Sequence, residues 1–360
     1  MTAADAPINL LDFEARARAA LPRGAFDYIA GGAADEVGLS LPRELFDRLW
    51  LRPRVMVDVA DCDTTTSVLG HAIPYPILIA PSGDHGIAHP DGELATAVGA
   101  TAAEALYVVS SGSTFTLEEI AGAASGPRWF HLPLLRDRGA ARTLIARAER
   151  SGYSALCLTV DHKVTALRER NRRNAWVSPP SPNLDGLVRL DAAVWSEPGS
   201  TARRADQVFD RAATWGYLGE IIAMTSLPVA VKGVLRGDDA RRAVDHGAAA
   251  VIVSDHGARQ LDTAVPQIRA LPEVVAAIGG DAEVYLDGGI RRGTDVLKSL
   301  ALGARAVLVG RPILYGLAVA GADGVARVLR ILWDELVTAM AMCGCPDLAS
   351  IGPDLLVAAS

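Results

Sequence analysis

The sequence predicts a closed (β/α)8 barrel of the TIM-barrel class, with an N-terminal helical cap and a long loop after the fourth strand. Three observations carry that expectation. Short apolar runs recur along the chain, each is followed by a stretch of helical periodicity, and each ends in a cluster of Gly, Ser, Asp or Arg. Eight such units are what a parallel barrel requires.

The runs fall at 76–80, 106–110, 128–132, 155–160, 228–232, 250–254, 283–287 and 306–310. Between them lie Ala-, Arg- and Leu-rich segments such as 140–148, 238–246 and 293–302, which fit amphipathic helices packed outside a sheet. The competing arrangement, an open doubly wound sheet, usually carries a Gly-rich dinucleotide fingerprint after its first strand. Here 76–80 runs into Pro81-Ser82-Gly83-Asp84 instead. From 178 to 210 the alternation breaks, with Pro179, Pro180, Pro182 and Pro198 and few periodic apolar residues. In a barrel that loop lies on the catalytic face, where it serves either as a lid or as an unstructured connection. Residues 1–70 are expected to form the cap and 75–345 the barrel, with 1–360 as one domain.

The composition supports one large core: of 360 residues, 50% are hydrophobic and 21% charged. Thirty-five Lys plus Arg against 42 Asp plus Glu leave a net charge of -7, a poor match for nucleic acid or anionic lipid. Small-molecule chemistry becomes the leading class. Cys62, Cys157, Cys343 and Cys345 do not make a disulfide framework in a chain this long, which points to a reduced, cytoplasmic setting. Cys343-Gly344-Cys345 has no second pair at zinc spacing, so no metal site is expected. The first twenty residues carry acids before any base and no apolar stretch long enough for a signal peptide. No membrane span of roughly 20 apolar residues is expected either.

In a barrel the C-terminal ends of the strands build the active site, so polar side chains there need a reason. The last two strands run into Asp287-Gly288-Gly289-Ile290-Arg291 and Gly310-Arg311. Glycines let backbone N–H groups approach an anion and arginines give charge-assisted bonds to phosphate oxygens. Ordinary glycine turns with surface arginines are the plainer alternative. Strand five reads Pro228-Val229-Ala230-Val231-Lys232-Gly233, and Lys232 is one of only three lysines in the chain. A cation in an apolar strand must pair with something. Three roles stand open for it: a Schiff-base nucleophile, a positive charge beside an electron-rich cofactor ring, or a structural salt bridge.

Strand six ends in Ser254-Asp255-His256-Gly257-Ala258-Arg259, a base and a guanidinium three residues apart in a glycine-containing loop. Strand four adds Thr159-Val160-Asp161 and then Arg168. Asp161 is suited to orient and charge-stabilise His256, and Arg168 with Arg259 to grip one carboxylate. A lone histidine is more often a satisfied core residue; the joint placement is what singles these out.

At these residues the sequence resembles the FMN-dependent α-hydroxy acid oxidases and dehydrogenases, the family of glycolate oxidase, lactate oxidase and mandelate dehydrogenase. The resemblance begins at Phe26-Asp27-Tyr28-Ile29-Ala30-Gly31-Gly32-Ala33, continues through Pro53-Arg54, Ala80-Pro81 and His89-Pro90-Asp91-Gly92-Glu93, and is strongest over 254–262 and 287–295. It implies FMN across the barrel mouth, its phosphate at Gly289, Arg291, Gly310 and Arg311, with Gly288 in the same turn and Asp287 near the ribityl chain. Lys232 would then face the N1–C2=O edge. Pro81, Ser82, Gly83, Ser110, Thr159 and Ser254 would line the ring system. His256 would be the catalytic base held by Asp161, with Arg259, Arg168 and Tyr28 binding the substrate carboxylate. The implied reaction is oxidation of a 2-hydroxy acid to the 2-oxo acid, with dioxygen or another electron acceptor, in a homo-oligomer, by the family's habit a tetramer.

Several residues depart from the family pattern. Strand three reads Phe130-His131-Leu132-Pro133, where Gln and Tyr are usual at the polar positions. His131 can still meet the flavin pyrimidine edge, but Pro133 supplies no phenol and enlarges the substrate pocket. Ala166-Leu167 replaces Gly-Arg before Arg168, and Asp255 replaces Asn, placing a carboxylate in sequence beside the base that would raise its pKa. Gly83 stands where oxidases of the family commonly have Ala, a Gly there resembles the lactate monooxygenases, and a missing methyl would change dioxygen access or product retention. The expected substrate is therefore bulkier than glycolate, an aryl or amino-acid-derived hydroxy acid; oxidative decarboxylation, isomerisation or oxidation of an amine derivative are the other flavin chemistries in view.

Overall fold

The computed structural model describes residues 6–188 and 207–358. Its centre is a closed barrel of parallel strands: β1 (Ile77–Ile79), β2 (Tyr107–Ser110), β3 (Arg128–Pro133), β4 (Leu156–Thr159), β5 (Val229–Val234), β6 (Ala250–Ser254), β7 (Glu283–Asp287) and β8 (Ala306–Val309). Each strand pairs with the next, and β8 returns to β1 through Val307↔Ile77, Leu308↔Leu78 and Val309↔Ile79. All eight lie on the expected runs, because a continuous apolar run is what a strand buried on both faces needs.

The two faces separate by parity. Leu78, Val108, Trp129, Cys157, Ala230, Ile252, Tyr285 and Leu308 point inward and pack with one another. Their neighbours, among them Ile77, Val109, Phe130, Leu158, Val231, Val253, Leu286 and Val307, point outward under the helices. Two residues further along each strand, the inward parity delivers Ala80, Ser110, His131, Thr159, Lys232, Ser254, Asp287 and Gly310 to the C-terminal mouth. The barrel interior is thus filled below and polar at the top.

The N-terminal segment is only partly the helical cap expected. Helices Leu10–Ala20, Arg23–Ala30 and Val37–Asp47 are present, but residues 49–73 add strands. Leu49–Leu51 pairs antiparallel with Leu356–Ala358. The hairpin Thr66–Val68 with His71–Ile73 sends Val68 and Ile73 into the barrel interior, closing its N-terminal end. Burying those two side chains in an otherwise open end of the core is the reason the segment turns back as a hairpin.

Helix Arg311–Cys343, broken at Ala320 and Gly321, departs from the expectation about membrane spans: by length and hydropathy alone it would cross a bilayer. Its most apolar window is 61% buried inside the protein, so its apolar face belongs to the core. Of the long loop after β4, residues 189–206, including Pro198, lie outside the described residues. Its first part is fastened over the mouth. Ser181 Oγ donates to the carbonyl of Ser111 at 2.8 Å, and the Asn183 amide donates to Ser113 Oγ at 2.8 Å while accepting the Leu117 N–H at 2.9 Å.

Candidate active site

The polar residues carried to the mouth surround a cavity of about 360 Å³, a size suited to small-molecule ligands. Of the residues expected in the site, Pro81, Ser82, Gly83, Ser110, His131, Pro133, Thr159, Lys232, His256, Asp287, Gly288, Gly289, Arg291, Gly310, Arg311, Tyr28, Arg168 and Arg259 all line it. Asp161 and Ser254 stand directly behind, bonded to His256.

His256 follows β6 in a tight turn with φ 59°, left-handed backbone, and Gly257 beside it has φ 63°. Ser254 Oγ accepts the His256 N–H at 3.0 Å and helps hold the turn. The imidazole Nδ1 lies 2.9 Å from Asp161 Oδ1, with the two side chains 24% and 17% exposed. A carboxylate accepts only, so Nδ1 carries the proton and Nε2 is left with the lone pair. Burial alone would push the Asp161 carboxyl up; His256, then Lys232 and His162, outweigh it and hold the carboxyl below its ordinary value. A bulge in β5 makes room for this carboxylate at Gly233, whose φ is 105°.

Lys232 sits at the barrel axis, 2.6 Å from Asp287 Oδ2 across β5 and β7. Ser254 Oγ joins the pair, accepting from Lys232 Nζ at 3.0 Å and donating to Asp287 Oδ2 at 2.7 Å. Burial would pull the ammonium down, but Asp287 and then Asp161 hold it above the ordinary lysine value. Both the salt bridge and a positive charge facing the cavity are therefore present; a neutral amine for Schiff-base chemistry is not favoured here.

The guanidiniums converge on the end of helix Arg23–Ala30. Arg259 Nη1 donates to the carbonyls of Tyr28 at 2.7 Å and Gly31 at 2.9 Å. Arg311 donates to those of Ile29 at 3.0 Å, Gly31 at 2.9 Å and Gly257 at 2.7 Å. Cations there satisfy the terminal carbonyls and the negative end of the helix dipole. Arg168 donates from Nε to the carbonyl of Arg259 at 3.1 Å. Burial followed by like-charge neighbours lowers Arg259 and Arg311 to about 10, and burial lowers Arg168 as well. All three stay charged at neutral pH, and among the described residues their hydrogen bonds go to carbonyl or amide oxygens, none to a carboxylate. Buried cations in that state favour an incoming anion.

Three expectations need amending. Tyr28 Oη is engaged, donating to Asp84 Oδ2 at 2.8 Å. Asp255 turns its carboxylate to the Gly257 N–H at 2.8 Å, capping the turn rather than facing the imidazole. A Cβ on Gly83 would lie 2.7 Å from the Gly112 carbonyl, so this glycine serves a close approach of two backbones and leaves no open space for a methyl.

Asp84 and His162 also line the cavity and were missed from the sequence. Asp84 comes four residues after the first apolar run ends, so the rule that singled out His256 would have found it. Burial pushes its carboxyl up to about 6 despite the Tyr28 hydrogen bond. His162 directly follows Asp161, with its ring 5.7 Å from that of His256 and 4.5 Å from that of Phe209.

The residues present fit FMN. Among the described residues, His131 Nδ1 and Thr159 Oγ1 are buried without a hydrogen-bond partner at the cavity wall, an expensive arrangement unless a polar edge meets them. Gly288 and Gly289 adopt φ 104° and 75°, and Gly310 caps helix Arg311–Cys343, so backbone N–H groups and Arg291 offer a phosphate cradle.

Comparison with known proteins points to the same cofactor. The family model described as FMN-dependent dehydrogenase matches residues 17–358. The chain is 48% identical to L-lactate oxidase of Nostoc sp., over 99% of this chain and 100% of that protein. It is 45% identical to a peroxisomal (S)-2-hydroxy-acid oxidase of Oryza sativa subsp. japonica, over 96% of this chain and 94% of the relative. Among solved structures, mandelate oxidase with (S)-4-hydroxymandelic acid superposes with a TM-score of 0.90 at 41% identity, covering 98% of each chain.

Proposed function

Since the chain belongs to the FMN-dependent dehydrogenase family and is an FMN-dependent α-hydroxy acid oxidase or dehydrogenase, we propose that His256 is its catalytic base and that its substrate is a 2-hydroxy acid with a side chain bulkier than glycolate's. The observation carrying this reading is the 2.9 Å Nδ1–Oδ1 contact with Asp161, which in the neutral imidazole puts the proton on Nδ1 and the lone pair on Nε2.

In this reading Arg168 and Arg259 hold the substrate carboxylate by charge-assisted bonds. His256 Nε2 accepts the proton of the 2-hydroxyl, and Asp161 stabilises the imidazolium that results. FMN, when bound, supplies the two-electron acceptor for the Cα–H bond. Lys232, which lines the cavity beside Asp287, would supply positive charge to the bound flavin and so favour its reduced, anionic form. His131 and Thr159 would hold the pyrimidine edge, and Gly289, Arg291, Gly310 and Arg311 the phosphate. Beyond the carboxylate clamp, Pro133, Pro179, Leu184, Val208 and Phe209 form an apolar wall, which supports an aryl or branched side chain. The setting proposed is a cytoplasmic homo-oligomer reoxidised by dioxygen or another acceptor, read out by reoxidation rates and by molar mass in solution.

Anaerobic addition of a panel of 2-hydroxy acids to the yellow holoenzyme tests the reading. Bleaching of the visible flavin bands by an aryl member, more efficient than by glycolate, is the expected result. His256→Gln should keep FMN and lose bleaching. A holoenzyme that no 2-hydroxy acid bleaches, or a His256→Gln variant that bleaches at the native rate, would overturn it.

A further inference from the structure

Asp84 places a carboxyl group beside Tyr28 and Arg259, in the corner to which the proposed function assigns the substrate carboxylate. It lies in the cavity after β1 with a left-handed backbone, φ 60°, held by its N–H on the Gly112 carbonyl at 3.1 Å. It is 8% exposed. Its Oδ2 accepts the Tyr28 hydroxyl, and the Tyr28 ring carries the Arg259 guanidinium at 5.2 Å. The charged and titratable groups facing it are Tyr28 from helix Arg23–Ala30, Arg259 from the turn after β6, and Glu93 from helix Gly92–Ala102; Ser178 reaches it from the loop after β4. Arg168 faces the same Tyr28 hydroxyl.

Two counts of charge and hydrogen follow. The Tyr28 hydroxyl has one proton and has given it to Asp84, so it cannot also donate to a substrate. A substrate carboxylate drawn to Arg168 and Arg259 becomes a second anion in the corner Asp84 occupies, and two adjacent carboxylates do not both stay ionised.

We propose that Asp84 takes up one proton from solution as a carboxylate substrate binds, becoming the donor to Tyr28 and releasing the Tyr28 hydroxyl to the substrate carboxylate. This rests on the carboxylate clamp of the proposed function. Asp84 is then a positioning residue that makes affinity pH-dependent. No redox change is involved: one O–H bond forms on Asp84 and hydrogen bonds reverse direction. Burial already lifts the free carboxyl to about 6, so near neutral pH it is mostly ionised before binding and protonated after. Affinity should be greatest below about pH 6 and weaken as pH rises, by about tenfold per unit while the bound form remains protonated. His131, lowered to about 3, and His162, lowered well below the histidine range, take no part in that window. The His256 imidazole lines the same cavity, so binding is also measured with it replaced.

The probe is phenylglyoxylate, a 2-oxo acid that the oxidised holoenzyme has no means to oxidise further as a 2-hydroxy acid. Its dissociation constant is read from perturbation of the flavin spectrum between pH 6 and 8.5, and proton uptake from calorimetry in two buffers of different ionisation enthalpy. Wild type and His256→Gln should both show the rise in dissociation constant, with net uptake approaching one proton at pH 7.5 in His256→Gln. Asp84→Asn should flatten the part of the profile that survives in His256→Gln. A flat profile in His256→Gln, or an Asp84→Asn profile as steep as wild type, overturns the proposal, and the first of these decides it even if Asp84→Asn fails to fold. Binding and bleaching with no pH dependence sinks only this inference, whereas a flavin that neither the 2-oxo acid perturbs nor any 2-hydroxy acid bleaches sinks the proposed function beneath it.

Discussion

Gly233 and Asp161 compete for the same space: a Cβ on Gly233 would lie 2.4 Å from Asp161 Cγ and 2.7 Å from its Cβ. The glycine sits in the β5 bulge at φ 105°, where a side chain would be strained even without that collision. The placement of the Asp161 carboxylate against His256 therefore depends on an atom that is missing from a neighbouring strand. Gly233→Ala should displace the carboxylate from His256 and lower kcat/KM by about 10²-fold, with FMN still bound. A variant whose steady-state rates match wild type would show that the Asp161 contact is dispensable.

Replacing the orienting carboxylate directly gives the sharper result. Asp161→Asn keeps the shape but offers an amide that accepts or donates, so the imidazole is free to take the wrong tautomer. The expected loss in kcat is about 10²- to 10⁴-fold, seen as a slower anaerobic flavin reduction at saturating substrate and not as a raised KM.

Lys232 and Asp287 form a buried ion pair, 4% and 9% exposed at the side chains. Lys232→Met strands the carboxylate and should destabilise the fold by about 3–5 kcal/mol, while the purified protein retains less FMN. Adding Asp287→Asn should restore most of the lost Tm without restoring flavin retention. A double variant no more stable than the single would separate the two roles differently.

His131 is held neutral, its imidazole pushed down to about 3 by burial, then by Lys232 and His256. The sign follows from linkage. The unfolded chain binds a proton near pH 6.5 that the folded chain refuses until about pH 3, so this residue's contribution is intact above pH 6.5 and is lost as pH falls from there. The loss is on the order of 1 kcal/mol per pH unit. Thermal unfolding of the holoprotein across pH 7 to 4.5 should show a shallower acid decline for His131→Gln than for wild type.

Gly83→Ala tests whether the space beside that residue is open or filled. The Gly112 carbonyl stands 2.7 Å from where the methyl would go, so the variant should lose about 1–3 kcal/mol of stability. Unchanged thermal stability would mean that the Gly112 backbone yields freely.

Local patterning was enough to read the barrel and its polar mouth. Each of the eight runs is buried on both faces, so burial writes a continuous apolar word, and the period of two then carries residues such as Lys232, Asp287 and Thr159 to the C-terminal rim. Helices such as Arg138–Arg150 and Gly293–Ala301 announce themselves by amphipathic spacing in the same way. The hairpin that closes the barrel floor could not be read like this, since Val68 and Ile73 make sense only against interior positions far along the chain.

Chain order alone established which strand residues gather at the rim, because alternation along a strand is a local property, while Asp84 and His162, which lie beyond the strand ends, were not read from it. Which partner each one takes was decided by tertiary structure: Asp84 meets Tyr28 across 56 residues, His256 meets Asp161 across 95, and Arg259 reaches the Tyr28 carbonyl across 231. Hydrogen bonds and charges act over a few ångströms of space, and closing the barrel brings together groups whose separation in sequence carries no trace of that distance.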